Sequence, residues 1–319
     1  MEEENKPSSE FPPELIAYFT DICNGAEGNP LEYLSQFICS HLVGDEWIDI
    51  RKALLLQLLT QNDTKKRMRL HTILVGVAGS GKTEVMLWWR ENMEGILVNG
   101  ELCSKTGLVG DARGNRVSAG LLADYDGHFV LVDEIDKMPI RDQNGLLQAM
   151  EEGQYIIIKG KHRQPFKAEV RVIGSTNELE KIQKPLLDRF DFVYRCTMAD
   201  REERAKQTAK IVDAFIGKTD EEIAGMLRGY VKWLGDFSPM ILPDDRADVV
   251  RAIQTYILKA KEVEIEKVSY RSLELSILRI AWAMAKLQRK NIEKQDVVEA
   301  IVFKDRILRK IYGVNIKSG

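Results

Sequence analysis

The chain has 319 residues, of which 30% are charged and 44% hydrophobic, and its formal net charge is -3 at pH 7. This length and composition predict one large or two modest folded domains and exclude a disordered polypeptide. The acidic balance also excludes a protein that coats DNA with its whole surface, because such proteins are basic; any contact with nucleic acid has to be a local patch.

The N-terminal part of the chain resembles neither a signal peptide nor a membrane anchor. Residues 1–28 are predicted to form an acidic, flexible tail, because the first part of this segment is rich in Glu, Ser and Pro. No apolar run approaches the length of a membrane span. The four cysteines and four histidines are scattered, which argues against a disulfide framework or a zinc site. We therefore expect a protein of the cytoplasm, or one associated with the nucleoid, with no membrane partner.

A complete P-loop pattern follows an apolar stretch at residues 72–75. It has the sequence Gly76-Val77-Ala78-Gly79-Ser80-Gly81-Lys82-Thr83 and leads into a predicted helix. A strand, a glycine-rich turn and a helix start are the setting this motif requires, because glycines let backbone N–H groups surround phosphate oxygens. Lys82 would reach the β- and γ-phosphates of ATP, and the Thr83 hydroxyl would bind Mg²⁺. The residues predicted to contact the nucleotide are Gly76, Ala78, Gly79, Ser80, Gly81, Lys82, Thr83 and Glu84.

Later strand-like runs end in polar residues suited to hydrolysis. One apolar run ends at Asp133 and Glu134, and another ends at Asn177. Ligands of open α/β sheets bind beyond the carboxyl ends of the strands, so these side chains are predicted near the P-loop. Asp133 would share Mg²⁺ with Thr83. Glu134 would orient and polarise the attacking water, and Asn177 would hydrogen-bond to the γ-phosphate or to that water. Asn99, which also ends a predicted strand, could restrain Glu134, although Asn-Gly is also simply a favoured turn.

Strand and helix patterns alternate from about residue 70 to residue 196. The predicted strands are residues 71–76, 95–99, 128–133, 170–176 and 191–196. Such alternation predicts an α/β fold, a parallel sheet with helices on both faces. After Cys196 the apolar residues recur at helical spacing, which indicates a helical second domain. We predict a nucleotide-binding core over residues 29–212 and an all-helical domain over residues 213–319.

Two insertions interrupt the predicted core. Residues 101–117 are rich in glycine, and the pattern of residues 154–168 predicts a β-hairpin with a basic tip. The basic residues of interest in the two insertions are Arg113, Arg116, Lys159, Lys161 and Arg163. A cationic tip is often only solvated, so charge alone does not establish a contact with nucleic acid.

Several segments carry a family resemblance. They are Phe37-Ile38-Cys39-Ser40-His41-Leu42-Val43-Gly44, Lys52-Ala53-Leu54-Leu55-Leu56-Gln57-Leu58, Ala119-Gly120-Leu121-Leu122-Ala123-Asp124, Val132-Asp133-Glu134-Ile135-Asp136-Lys137-Met138, Leu186-Leu187-Asp188-Arg189-Phe190-Asp191 and Arg271-Ser272-Leu273-Glu274. In order and local sequence they resemble the AAA+ motor of the minichromosome maintenance (MCM) helicases. The resemblance runs from about residue 37 to residue 303.

The resemblance implies roles that the P-loop alone does not supply. It implies an AAA+ P-loop NTPase core followed by a helical lid, assembled as a homo-oligomeric ring, a hexamer in this family. Arg189 would be an arginine finger that acts on ATP bound by a neighbouring subunit, and Arg271 would be a second arginine acting in trans. Together with Lys82, Glu134 and Asn177 they would form the catalytic set. An isolated subunit should then be a poor ATPase.

The resemblance also assigns the two insertions. Residues 101–117 correspond to the family's helix-two insert and residues 154–168 to its pre-sensor-one hairpin. Both elements project into the central channel and contact DNA, expected here as a single strand. The residues implied in that contact are Lys159, Lys161, Arg163, Arg113 and Arg116. Other replication proteins are further partners that the family implies.

The chain also departs from the family pattern. Gly79-Ser80-Gly81-Lys82-Thr83 is the general ATPase form of the P-loop, and Asp188 stands where the family has Ser. No N-terminal domain or winged helix is expected, so the sequence suggests a minimal or truncated relative of archaeal type. The favoured function is an ATP-dependent DNA helicase or translocase. The alternatives are a protein-remodelling ATPase of the MoxR or chelatase kind, which shares the two insertions, and a regulatory MCM paralogue.

Overall fold

The computed structural model describes residues 11–60, 67–113, 116–159, 162–215, 221–235, 237–262 and 269–313. Within these ranges the strands are β1 Thr72–Val75, β2 Gly95–Asn99, β3 Gly110–Arg113, β4 Arg116–Ala119, β5 Phe129–Asp133, β6 Gln154–Lys159, β7 His162–Lys167, β8 Arg171–Thr176 and β9 Phe192–Arg195. The helices are α1 Pro13–Cys23, α2 Pro30–Ser35, α3 Asp45–Leu59, α4 Lys82–Asn92, α5 Lys105–Val109, α6 Leu121–Asp124, α7 Ile140–Glu152, α8 Lys184–Leu187, α9 Arg201–Phe215, α10 Glu221–Leu234, α11 Arg246–Glu262, α12 Tyr270–Leu287 and α13 Lys294–Tyr312.

A five-stranded sheet forms the centre of the core. Its strands run in the order β2-β5-β8-β1-β9, and every neighbouring pair is parallel. The parallel sheet predicted from the alternating pattern is therefore confirmed. Because all five strands run the same way, the P-loop after β1 lies on the same edge as the ends of β2, β5 and β8.

Each face of the sheet is covered by helices. Alternate residues of a strand point to opposite faces. In β5, Phe129 and Leu131 belong to a hydrophobic cluster with α3, α4 and the C-terminal helices. Val130 and Val132 belong to a second cluster, with α5 and α7. The predicted α/β core with helices on both faces, followed by a helical region, is thus confirmed. None of the helices in the described ranges is long and apolar enough to cross a membrane.

Helix α1 corrects the prediction of a flexible tail over residues 1–28. Its side chains Phe19 and Ile22 are fully buried. The ring of Phe19 meets that of Tyr230 on α10 edge-on, with centroids 5.4 Å apart. An apolar stripe, Leu15, Phe19 and Ile22, carries the helical spacing that the polar residues nearby obscure. Part of the predicted tail is therefore packed against the C-terminal helices; residues 1–10 lie outside the described ranges.

The boundary predicted between residues 212 and 213 falls inside helix α9. The helix runs from Arg201 to Phe215 without a break. The predicted boundary therefore does not coincide with a break in the described secondary structure. The other predicted domain limits remain predictions.

Two antiparallel strand pairs stand apart from the central sheet. Strand β3 pairs with β4, so that Arg113 is opposite Arg116. Strand β6 pairs with β7, so that Lys159 is opposite His162. The two pairs contact each other, β3 against β6 and β4 against β7. The basic ends of both predicted insertions are thus carried by adjacent two-stranded elements.

Candidate nucleotide-binding site

The P-loop connects β1 to α4 in a conformation that depends on its glycines. Gly79 and Gly81 have φ of +81° and +88°, a left-handed backbone that other residues rarely adopt. Gly81 also lies against the indole of Trp47, 2.8 Å from where a Cβ would be. Gly76 lies against the carbonyl of Cys196, where a Cβ would be 2.3 Å from the oxygen. The close neighbours of Gly76 and Gly81, and the positive φ of Gly79 and Gly81, explain why the motif has glycine at these positions.

Lys82 joins the P-loop to the end of β8. Its side chain is buried, and its Nζ donates to the carbonyls of Gly76 at 2.5 Å and Val77 at 2.9 Å and to Oδ1 of Asn177 at 3.2 Å. Burial lowers the pKa of the Lys82 ammonium, whereas Cys196 and the nearby carboxylates oppose the shift. The ammonium is therefore held at the head of helix α4, beside the P-loop backbone.

Asp133 and Thr83 form an oxygen pair suited to a hard cation. The Thr83 hydroxyl donates to Oδ2 of Asp133 at 3.4 Å. The other carboxylate oxygen of Asp133 accepts a hydrogen bond from Ser175 on β8, which fixes the orientation of the carboxylate. A hydroxyl and a carboxylate, completed by phosphate oxygens and water, are what Mg²⁺ uses in nucleotide sites. The residues present fit the predicted ion.

Glu134 has a left-handed backbone, with φ of 56°. Such a conformation costs a non-glycine residue about 1–3 kcal/mol, and it recurs at functional sites. The Glu134 N–H donates to the Ser175 hydroxyl at 3.0 Å. Its carboxylate oxygen Oε2 accepts from Nδ2 of Asn99 at 3.4 Å. The strained turn and these two contacts direct the carboxylate toward the carboxyl end of β2.

These side chains surround one cavity of about 550 Å³. Of the predicted nucleotide and metal contacts it is lined by Ala78, Gly79, Ser80, Gly81, Lys82, Thr83, Glu84, Asp133, Glu134 and Asn177. Gly76 does not line it; this residue lies beneath the loop against Cys196. The volume is in the range of ligand pockets that take a drug-sized molecule. The structure thus brings the predicted contact residues together around one cavity, whereas their roles toward a nucleotide remain predictions.

Sequence reasoning missed a second wall of this cavity. The additional lining residues are His41, Leu42, Trp47, Thr197, Ala199, Arg204 and Gln207. Gln207 donates from Nε2 to the carbonyl of Val43 at 3.3 Å, so α9 closes against the segment before α3. Arg204, exposed on the same helix, adds a cation to the wall. In the sequence, residues 37–44 are distinguished only by the family resemblance, and no local pattern distinguishes Arg204.

Arg189 and Arg271 do not line the cavity. Arg189 forms an ion pair with Glu151 at 2.8 Å, with 27% of its side chain exposed. Arg271 is exposed in the first turn of α12. Their neighbours Asp188 and Ser272 line one small cavity. Both arginines therefore belong to one region of the subunit, separate from its own nucleotide cavity.

The predicted DNA-contacting residues are only partly described. Arg163 is exposed on β7. Arg113, Arg116 and Lys159 have described backbones in β3, β4 and β6. Lys161 lies outside the described residues. The contact with DNA remains a prediction.

Comparison with known proteins gives one family match and several similar proteins. The family model described as the MCM P-loop domain matches residues 23–216. The "Probable DNA helicase MCM9" of Oryza sativa subsp. indica is 26% identical over an alignment of 341 positions that covers 94% of this chain and 49% of that protein. The "Minichromosome maintenance protein MCM" of Saccharolobus solfataricus is 23% identical over 286 residues, 81% of this chain and 41% of that protein. The "Maternal DNA replication licensing factor mcm3" of Xenopus laevis is 24% identical over 261 residues, 74% and 32% respectively. The chain spans about half, or less, of the length of these relatives.

Proposed function

This chain belongs to the minichromosome maintenance family, and on that premise we propose that it is an ATP-hydrolysing DNA helicase or translocase motor. Its ATP sites would be completed at the interfaces between subunits of a ring, in a hexamer. DNA would pass through the ring and be contacted there by the basic hairpins. Relatives that are named as DNA helicases and replication licensing factors support this direction.

One observation carries the proposal. The cavity gathers Lys82, Asp133 and Glu134 in a single subunit, whereas Arg189 and Arg271 lie elsewhere on that subunit. Arg189 pairs through one terminal guanidinium nitrogen, Nη2, with Glu151, and 27% of its side chain is exposed. A guanidinium so placed has donors left for a phosphate. A second copy of the chain would supply that phosphate, because Arg189 is not among the residues that line the nucleotide cavity of its own subunit.

The residues of the cavity divide the work of hydrolysis. Lys82 and the P-loop N–H groups would bind the phosphates of ATP. Thr83 and Asp133 would hold Mg²⁺, which when bound neutralises charge on the β- and γ-phosphate oxygens. Glu134 would accept a hydrogen bond from the attacking water and hold it in line with the γ-phosphate. Asn177, already bonded to Lys82, would keep its amide donor for the γ-phosphate or the water.

The basic hairpins supply the DNA-contacting part of the proposal. Strand pairing places Lys159 next to the turn of its hairpin and Arg113 beside Arg116 at the turn of the other. One cation from each subunit adds little affinity, but a ring of them forms a basic channel for a phosphate backbone. This local concentration of charge is compatible with the acidic chain as a whole.

The proposal is tested by steady-state ATP hydrolysis measured against protein concentration, with and without single-stranded DNA. A rate per subunit that rises with concentration and rises again with DNA is the expected result. Analytical ultracentrifugation in the same buffer should show a ring at the concentrations where hydrolysis appears. Hydrolysis that depends on assembly but ignores DNA would overturn the DNA motor in favour of a protein-remodelling ATPase or a regulatory subunit.

Lys159→Ala is expected to weaken single-stranded DNA binding and to lower the ratio of DNA-stimulated to basal hydrolysis. The loss removes one phosphate contact per subunit, so the salt dependence of binding should become shallower as well. Fluorescence anisotropy of labelled DNA over a salt series measures both effects. Lys167→Ala is the matched control, since Lys167 lies at the opposite end of the same hairpin, across from Gln154. Equal effects of the two variants would remove the hairpin tip from the mechanism.

Asn99→Ala is expected to raise basal hydrolysis and to reduce the additional stimulation by DNA. The Asn99 amide bonds the Glu134 carboxylate at 3.4 Å, and its loss frees the carboxylate for water. A hydrogen bond worth about 1 kcal/mol corresponds to a change of about fivefold in rate. Asn92→Ala, which removes an amide that caps α4 at Trp88, is the control. A slower basal rate with normal stimulation would mean that Asn99 only supports the turn through the N–H of Glu101.

A further inference from the structure

Asp191 lies at the point where the core meets the C-terminal helices. Its side chain is almost fully buried. One carboxylate oxygen accepts the backbone N–H of His71, at the start of β1, at 3.1 Å. The other accepts Nη1 of Arg279, on α12, at 3.1 Å. A single carboxylate therefore connects the central sheet to the helix that carries Arg271.

Two further contacts tie the same helices to this point. Lys304 on α13 donates to the backbone carbonyl of Asp191. Arg279 donates from Nε to the carbonyl of Arg67 at 2.8 Å. Burial lowers the pKa of the Lys304 ammonium to about 8, and the charge of Asp191 opposes that shift. The Asp191 carboxylate is therefore the ion-pair partner of Arg279 and also stabilises the charge of Lys304.

The junction is close in sequence to both arginines of the proposed interface. Arg189 precedes Asp191 by two residues, and Phe190, between them, is buried against the sheet. Arg271 and Arg279 lie on one helix, about 12 Å apart at ~1.5 Å rise per residue. The Arg279–Asp191 pair therefore links the segment that bears Arg189 to the helix that bears Arg271.

We infer that Asp191 is a positioning residue for hydrolysis in the neighbouring subunit: through Arg279 it holds Arg189 and Arg271 as one unit facing that neighbour's ATP. The inference rests on the proposed function. A buried ion pair such as Asp191–Arg279 contributes little net stability relative to a well-packed apolar pair, but it fixes the orientation of the elements that it joins. A small misplacement of a catalytic group is costly in rate.

The alternative, that Asp191 only holds one subunit together, makes a different prediction. A structural defect would lower hydrolysis whether the altered subunit contributes its arginines or its P-loop to an interface. A positioning defect would lower hydrolysis only where the altered subunit contributes its arginines. The junction lies at the amino ends of β1 and β9, where His71 and Asp191 precede the two parallel strands, whereas the nucleotide cavity lies beyond the carboxyl end of β1.

Mixed assemblies separate these two cases. A Lys82→Ala subunit offers its arginines but cannot use its own P-loop, and an Arg189→Ala subunit has an intact P-loop but no finger. In an equimolar mixture, ATP is then hydrolysed at interfaces where a Lys82→Ala subunit presents its arginines to ATP bound by an Arg189→Ala subunit. Asp191→Asn is added to one partner at a time, and the steady-state rate and the KM for ATP are measured in both mixtures.

We expect Asp191→Asn to lower the kcat of the mixture by about ten- to a hundredfold when the Lys82→Ala subunit carries it, with little change in KM. In the Arg189→Ala subunit it should leave the rate of the parent mixture unchanged. Asp296→Asn is the matched control, because it also removes a buried carboxylate with an ion pair, to Lys290 at 3.1 Å, but away from Arg189. It should leave both mixtures at the parent rate.

Equal losses in the two mixtures, or no loss in either, would overturn the positioning role. A parent mixture of Lys82→Ala and Arg189→Ala that hydrolyses no ATP, although its subunits assemble, would instead overturn the proposed function and this inference with it. Circular dichroism melting of each variant shows whether the fold is retained. A double variant with Arg279→Gln in the same subunit should lose no more kcat than Asp191→Asn alone, because both changes break one pair.

Discussion

Glu134→Gln is expected to stop ATP hydrolysis while leaving ATP binding intact. The amide keeps the size of the side chain and its bond to Asn99 but cannot accept the proton of the attacking water. Positioned general bases contribute about 10²–10⁴-fold in rate, so turnover should fall to near the background of the assay. Binding contacts with the phosphates belong to Lys82 and the P-loop and are untouched. Equilibrium binding of a fluorescent ATP analogue, set beside phosphate release, measures both parts.

The control for this variant is Glu180→Gln. Glu180 is an exposed carboxylate beyond the end of β8 and does not line the cavity. It should hydrolyse ATP like the wild-type chain. Normal turnover in Glu134→Gln would show that another group activates the water, and Asp136, which bonds the N–H of Asn177 at 3.4 Å, would be the next candidate to replace.

Arg189→Ala is expected to reduce ATP hydrolysis as severely as Glu134→Gln does, for a different reason. An arginine finger stabilises charge on the transferring phosphoryl group and contributes about 10³–10⁵-fold in kcat. ATP affinity should persist, because Arg189 does not line the cavity of its own subunit. The loss of the partly exposed pair with Glu151 should change stability only slightly, by about 0–1 kcal/mol. Rapid-quench measurement of single-turnover hydrolysis isolates the chemical step.

Arg141→Ala is the matched control for the finger. Arg141 is also paired with a neighbouring carboxylate, that of Asp142 at 3.4 Å, but its side chain is 84% exposed on α7. Hydrolysis should survive this change. If adding Lys82→Ala subunits fails to restore hydrolysis to Arg189→Ala in a ring that still forms, the arginine does not act across an interface.

The central sheet was predictable because its signals are local. All five strands appear within one residue of their predicted ends, since buried parallel strands are short apolar runs bounded by polar residues. The P-loop was predictable for the same reason. The gathering of Asp133, Glu134 and Asn177 at one edge followed from a general rule about parallel strands, and the cavity they line agrees with it.

What escaped prediction depends on contacts distant in sequence. The sequence predicts a tail here because the residues before helix α1 are polar, whereas the helix packs on α10, more than two hundred residues later. Arg204 looks like one charge among many on α9 until the helix closes over the cavity. The link from Asp191 to Arg279 joins two positions whose pairing no local pattern shows.

The contact between Gly81 and Trp47 has a practical consequence. The indole lines the nucleotide cavity and touches the loop expected to close around phosphate. Of the chain's five tryptophans, it is the one among the cavity's lining residues. Its fluorescence is therefore expected to change when a nucleoside triphosphate is added. Such a change would make Trp47 a built-in optical reporter of site occupancy, readable without a labelled nucleotide.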